Sequence, residues 1–416
     1  MSAARTWFGQ PRGLTILFLT NMWEQFSYYG MRALLVYYMT RELLFAQAKA
    51  SLIYGVYTAC AYFTPIIGGA IADRWLGKRR AVLLGGTIMA IGHFLMAFEP
   101  LFYVALVTIA LGNGLFLPSL PSQIDDLYEK HDPRVSWAYN VYYVGVNIGG
   151  FLAPLACGTL GEVYGWHWGF GAAGVGMVIG VATYIVGAHY LPAEAQRTPT
   201  PRTQTVRGRI APRTLLLLVA IGLAVTIFRG AYEQVGNTVA LWAASDVNRS
   251  AGALTIPVTW FQALNPLLVM VLTPPLLARW RRRSEAGAVQ APVRRMAVGA
   301  AIVVGAYLLL AALSARGGMP AWPWLALFFV ILTVGELHIL PTGLGLFAHL
   351  APEGLRATTV AGWYLATFAG SLAAGLVGTL WSGMGHPGFF LLLALLAGVA
   401  AICLLVLDPF QRQTET

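Results

Sequence analysis

Runs of roughly twenty apolar residues, separated by short polar connections, recur from one end of the chain to the other. A helix needs about 20 mostly apolar residues to cross a bilayer. The pattern predicts twelve such helices, over residues 13–40, 51–72, 80–98, 101–124, 135–158, 166–190, 214–244, 252–278, 295–315, 321–350, 357–382 and 387–407. The first run is interrupted in a regular way. Asn21, Glu24, Gln25, Tyr28 and Arg32 recur at offsets of 0, 3, 4, 7 and 11, so they share one helix face. A carboxylate and a guanidinium at bilayer depth are costly unless they face water, a partner or a ligand. The stripe therefore reads as the wall of a cavity inside the membrane.

Composition fixes the class. Of the 416 residues, 57% are hydrophobic and only 11% charged, against about 25% charged in soluble domains. The expectation is an all-α integral membrane protein. The net charge of +10 raises the question of nucleic acid, and its placement answers it. Among the 27 Lys and Arg, only Arg41, Lys49, Arg249 and Arg316 fall on one side of the predicted topology. Arg32 and Arg229 lie inside spans, and all the others fall on the opposite side. That is the positive-inside asymmetry, which places both termini in the cytoplasm; the expected location is a bacterial inner membrane. No nucleic-acid partner is expected; the partner is the lipid bilayer. Cys60, Cys157 and Cys403 sit singly in apolar spans without metal or disulfide spacing, and read as small core residues. The apolar run after Arg12 is too long for a cleavable signal and should act as an uncleaved anchor.

One break in composition organises the chain. Residues 191–213 are rich in Pro, Thr and Arg and contain no apolar run, as a linker between two halves does. The expected division is a six-helix bundle over 1–190, a cytoplasmic linker over 191–213, and a second six-helix bundle over 214–416. A basic loop from Arg279 to Arg295 carries Arg281-Arg282-Arg283, which reads as a solvated, lipid-facing anchor. His93, in the third span, reads as a packed core residue hydrogen-bonded to a neighbouring helix. Asp125 and Asp126, at the end of the fourth, read as water-facing or as part of a gate.

Two six-helix halves joined by a linker is the plan of major-facilitator transporters, whose substrate sites lie near the bilayer midplane. The segment Gly69-Ala70-Ile71-Ala72-Asp73-Arg74-Trp75-Leu76-Gly77-Lys78-Arg79-Arg80 resembles the signature loop of that superfamily. There Asp73 would cap a helix end and pair with arginines as a gate.

Seven further motifs occur in order. They are Asn21-Met22-Trp23-Glu24-Gln25-Phe26-Ser27-Tyr28-Tyr29-Gly30, Gly112-Asn113-Gly114-Leu115-Phe116-Leu117-Pro118 and Tyr142-Tyr143-Val144-Gly145-Val146-Asn147-Ile148-Gly149 in the first half. Tyr232-Glu233-Gln234, Asn265-Pro266 and Gly335-Glu336-Leu337-His338-Ile339-Leu340-Pro341 follow in the second, with Gly362-Trp363-Tyr364-Leu365 beyond. Together they resemble the proton-dependent oligopeptide transporter family over nearly the whole chain. The resemblance implies a pocket for peptides of two or three residues. Glu336, with Asn147 and Asn265, would receive the peptide ammonium, whose three donors match a carboxylate and two amide oxygens. Tyr28, Tyr29 and Tyr62 would line side-chain pockets and Trp363 would close one wall; the other reading of these aromatics is helix packing.

The chain departs from the family at three positions. The motif's first Glu is Asn21, its Arg is Gln25, and the fourth-span Lys is Leu117. In the family those cations help hold the peptide carboxylate. Arg32 remains a candidate for that role. Arg229 is another, standing where the family usually has a pocket Trp. It lies four residues before Glu233, so the two can pair directly; the pair either replaces the missing Lys and binds an anion or is purely structural. Glu24, Glu233 and His338 are the candidate proton carriers.

The function expected is a monomeric secondary transporter of di- or tripeptides or peptide-like compounds, working by alternating access as a proton symporter. The alternative is an exporter or uncoupled carrier of modified peptides, amino-acid conjugates or another small anionic metabolite. No cofactor is expected beyond a proton gradient. No HExxH, GxSxG or GxxxxGK[ST] sequence is present to support an enzyme or an ATP-driven pump.

Overall fold

The computed structural model describes residues 9–129, 132–192, 210–287, 291–352 and 355–415. The predicted linker falls mostly outside the described residues, at 193–209. Apart from a short hairpin pairing Ser250 with Thr255 and an isolated bridge between Asn248 and Ala321, the described secondary structure is helical. The first half holds α1 (Arg12–Arg41), α2 (Gln47–Ile71), α3 (Lys78–Leu95), α4 (Phe102–Ser119), α5 (Arg134–Tyr164) and α6 (Trp166–Gly187). The second holds α7 (Pro212–Tyr232), α8 (Thr238–Ser245), α9 (Trp260–Glu285), α10 (Pro292–Ala315), α11 (Trp322–His349), α12 (Arg356–Gly378) and α13 (His386–Glu415).

Among the described residues, ten helical segments are long and apolar enough to cross a membrane, one of them joining α7 and α8 over Pro212–Ser245. The other two predicted spans are α1 and α3, which are helical but more polar. Asn21, Glu24 and Gln25 dilute the apolar run of α1. The 18-residue α3 opens on three cations, Lys78, Arg79 and Arg80. Each of the twelve predicted spans thus contains a helix, although the eighth begins only at Trp260, after the hairpin, rather than at residue 252.

The chain forms two compact units. One comprises Met1–Leu43, Phe63–Thr198 and Pro257–Leu267; the other comprises Leu44–Tyr62, Pro199–Ile256 and Leu268–Thr416. Helices α2 and α9 each contribute to both, and each changes unit beside a proline, Pro65 and Pro266. A proline removes one backbone hydrogen bond from its helix, and α9 loses two more at Pro274 and Pro275, inside the second unit.

In the first unit, small residues let helices meet at the backbone, as membrane bundles require. A Cβ at Gly149 of α5 would collide with the Met22 carbonyl oxygen of α1. The core beside this contact includes Leu14, Leu17, Met89, Phe116 and Met177, all fully or almost fully buried. The start of α9 is fastened here by one carboxylate. Glu162 accepts the N–H groups of Val258 at 3.0 Å and Thr259 at 2.9 Å, and the Thr259 hydroxyl at 2.6 Å. Trp260 Nε1 donates to the Thr159 hydroxyl at 2.8 Å.

His93 is fully buried in α3, as expected. The expected hydrogen bond to a neighbouring helix is absent: neither ring nitrogen has a partner among the described residues. Its neighbours in α3 pack closely on other helices, Gly92 on Ile109 of α4 and Phe94 on Gly174 of α6.

In the second unit, the first part of α2 packs on α12. A Cβ on Gly55 would overlap the Gly375 Cα, so the two backbones meet directly. Polar side chains fix this contact: Gln47 Nε2 donates to the Gly378 carbonyl at 2.9 Å, and the Ser51 hydroxyl to Asn237 Oδ1 at 2.8 Å.

Candidate functional site

The second unit carries a buried charged cluster. Arg229, in the last turn of α7, pairs with Glu233, which opens the 3-10 turn Glu233–Gly236 between α7 and α8. Their side chains are only 4% and 1% exposed. The i, i+4 spacing brings the charges together, as the sequence predicts. Arg229 Nη2 also donates to the Tyr62 hydroxyl of α2 at 2.9 Å. Its guanidinium lies 5.0 Å from the Tyr62 ring centre and 5.5 Å from that of Tyr232, within cation–π range. The Arg229 stem passes α12 at Gly370, where any added Cβ would strike it. Its Nε has no acceptor among the described residues.

Tyr232 extends the cluster to α11 by a side-chain hydrogen bond with Glu336. The chain of contacts therefore runs from Tyr62 through Arg229 to Glu233, with Tyr232 joining Glu336 beside it. Sequence reasoning named four of these five side chains and passed over Tyr232. Its signal was position, three residues beyond Arg229 and so on the same helix face. Tyr307 of α10 braces the turn, its hydroxyl donating to the Ala231 carbonyl at 2.6 Å.

His338 does not join this cluster. Successive alternate positions on a helix point nearly opposite ways, and His338 turns from Glu336 towards α9. Its Nδ1 lies 2.7 Å from the Val334 carbonyl, and its ring meets Trp280 edge-on at 5.1 Å. Trp363 is 5% exposed and packs edge-on against Phe347 at 5.5 Å.

The first unit holds the altered stripe. Glu24 is 1% exposed in α1 and accepts a hydrogen bond from Gln25 Nε2 at 2.7 Å. Among the described residues it has no ion pair: an amide stands where the resemblance expects a guanidinium. Asn21 Nδ2 donates to the Tyr142 carbonyl of α5 at 3.3 Å. Tyr28 and Tyr29 meet edge-on at 5.4 Å, and Arg32 is half-buried three residues further. Asn147 Nδ2 donates to the Tyr143 carbonyl one turn back at 2.9 Å. Leu117 is half-buried in α4 and Asn265 half-buried in α9.

The loop after α2 differs from expectation. Asp73 is exposed in a π-helical turn, caps neither flanking helix, and has no ion pair among the described residues. Lysine and arginine do the fastening. Lys78 pairs with Asp126 at 2.6 Å and donates to the Ser122 carbonyl at 2.8 Å. Arg79 donates to the Leu191 and Pro192 carbonyls, each at 2.7 Å, beyond the end of α6. The N-cap position of α3 is taken by Gly77, at a φ of 82°, four residues beyond Asp73. Asp126 is thus both water-exposed and paired, and Asp125 accepts from the Tyr139 hydroxyl at 3.2 Å.

Residues 79–207 and 202–388 match the family model PTR2, described as the POT family. The chain belongs to the POT family. Its fold is accordingly the all-α major facilitator fold, and it is a multi-pass membrane transporter rather than an enzyme. The match begins beyond the first-helix stripe of this POT member. The chain is 30% identical to "Uncharacterized transporter YclF" of Bacillus subtilis, covering 97% of this chain and 94% of that one. It is 30% identical to "Peptide transporter YePEPT" of Yersinia enterocolitica, covering 90% and 88%. Among solved structures, the peptide transporter POT in complex with sulfate superposes with a TM-score of 0.90 at 27% identity, covering 98% of this chain and 96% of that one. A point mutant of peptide transporter POT in complex with alafosfalin gives 0.88 at 28% identity, with the same coverage.

Proposed function

We propose that this POT member carries di- and tripeptides or closely related compounds across the membrane by alternating access, driven by protons moving with the substrate. Three kinds of support converge. Relatives at 28% identity from Lactococcus lactis are named di-/tripeptide transporters. A similar solved transporter holds alafosfalin, a peptide-like compound. The observation that carries the reading is the buried cluster of the second unit, where Glu336 is bonded to Tyr232 beside the Arg229–Glu233 pair. Intramembrane charges of this kind are functional by default.

In this reading Glu336, with Asn147 and Asn265, receives the substrate ammonium. Arg229 and Arg32 attract its carboxylate, and Tyr28, Tyr29, Tyr62 and Trp363 shape the side-chain pockets. Glu24 and Glu233 exchange protons, while Asp73 and His338 respond to the change of state. The protein works as a monomer with both termini in the cytoplasm.

The test is uptake of a labelled dipeptide into sealed proteoliposomes under an imposed inward proton gradient. Accumulation above the external concentration is expected, and Glu336→Gln lowers uptake about tenfold to a hundredfold, the weight of one charge-assisted hydrogen bond. Equal uptake with and without the gradient overturns the coupling; no uptake of any dipeptide overturns the substrate class.

A further inference from the structure

A cavity lies in the second unit, lined by none of the side chains of the charged cluster. It is a cleft of about 760 Å³ on the last turns of α9, with Val334 of α11 on its opposite wall. Its floor is apolar, at Leu272 and Leu276, and its far end carries Arg279, Arg282 and Arg283. These arginines fall at intervals of three and four and so share one helix face. From Leu272 to Arg283 the helix rises about 16 Å, passing from apolar side chains to cations. No acidic residue lines the cleft among the described residues.

The arginine run divides by face. Arg281 points away from the cleft and pairs with Glu285 one turn on, at 2.9 Å. The three cleft arginines have no carboxylate among the described residues. The span Trp260–Glu285 is also the least buried of the ten, with 22% of its apolar window inside the protein. An unneutralised cationic rung above an apolar groove, on the least buried of these spans, is complementary to an amphiphile with an anionic head and apolar tails. Basic pockets between helices at a membrane surface bind anionic headgroups by this chemistry.

We infer that this cleft is a binding site for an anionic phospholipid, its phosphate held by Arg279, Arg282 and Arg283 and its acyl chains laid along Leu272 and Leu276. The sequence alone marks the run only as a general anchor; the structure separates Arg281 from the three that share a cleft.

The test uses the full chain in nanodiscs and native mass spectrometry. Phosphatidylglycerol is expected to be retained and phosphatidylcholine not. Replacing the three cleft arginines together (R279Q, R282Q and R283Q) lowers phosphatidylglycerol affinity about a hundredfold, whereas R281Q leaves it unchanged. Inorganic phosphate in large excess over the lipid does not displace it, because the acyl chains contribute. Unchanged affinity in the triple variant, an equal loss in R281Q, or equal retention of phosphatidylcholine each overturns the site. Full displacement by inorganic phosphate overturns the lipid occupant and leaves a simple anion site. Elution of the triple variant at the wild-type volume in size exclusion confirms that its fold is intact.

Discussion

Arg229 and Glu233 depend on each other because neither has water to fall back on. Removing one partner of a buried pair leaves an uncompensated charge and costs about 3–5 kcal/mol, whereas removing both can be nearly neutral. Arg229→Met is therefore expected to lower the thermal midpoint of the purified protein sharply, and Arg229→Met with Glu233→Gln to recover most of the loss. The double-mutant cycle checks this, and purely additive effects would show that the two charges are not coupled. A transport role is a separate matter. Arg229→Trp, which places the usual family residue there, is expected to weaken uptake of free dipeptides more than of carboxyl-blocked ones. On α1, Glu24 has an amide for its partner. Gln25→Arg supplies a cation beside it and is expected to raise affinity for free over carboxyl-blocked dipeptides by about tenfold, the weight of one added charged hydrogen bond. An unchanged ratio in competition binding would remove position 25 from carboxylate recognition.

At the level of the element, the entry of α9 is held by a carboxylate from another helix. Glu162 takes two backbone N–H groups and a hydroxyl just before the helix begins. Glu162→Gln replaces one acceptor oxygen with a donor, and a lost cap costs about 0.5–2 kcal/mol. Faster hydrogen exchange at Val258 and Thr259, with the rest of the first unit unaffected, is the expected result; unchanged exchange would mean the turn is held by α9 itself. This contact also shows what the sequence could and could not reveal. The twelve spans were legible because each is a long apolar run, and the Arg229–Glu233 pair because its spacing is local. Glu162 meets Thr259 across 97 residues, and no periodicity encodes such a meeting. The bond from Tyr232 to Glu336 was hidden for the same reason. Asp73 misled in another way. A motif gives residue types, but carbonyls beyond α6 and α4 needed donors, and Lys78 and Arg79 were the residues able to supply them.

For the whole molecule, the charge asymmetry of the connections makes a claim about orientation. Connections poor in Lys and Arg, such as the hairpin at 250–255, should lie outside, and the arginine-rich end of α9 inside. Helix α9 separates the two, and its 26 residues rise about 39 Å, enough to cross a bilayer. Ala253 and Ser284 are both exposed and so accept a cysteine without repacking. With Cys60, Cys157 and Cys403 replaced by Ala, Ala253→Cys is expected to react with an impermeant maleimide in intact cells. Ser284→Cys is expected to react only after the membrane is opened. Labelling of both from outside would mean that α9 does not span and would undo the twelve-span count. Labelling of Ser284→Cys alone from outside would invert the molecule, and the cleft arginines would then meet the outer leaflet.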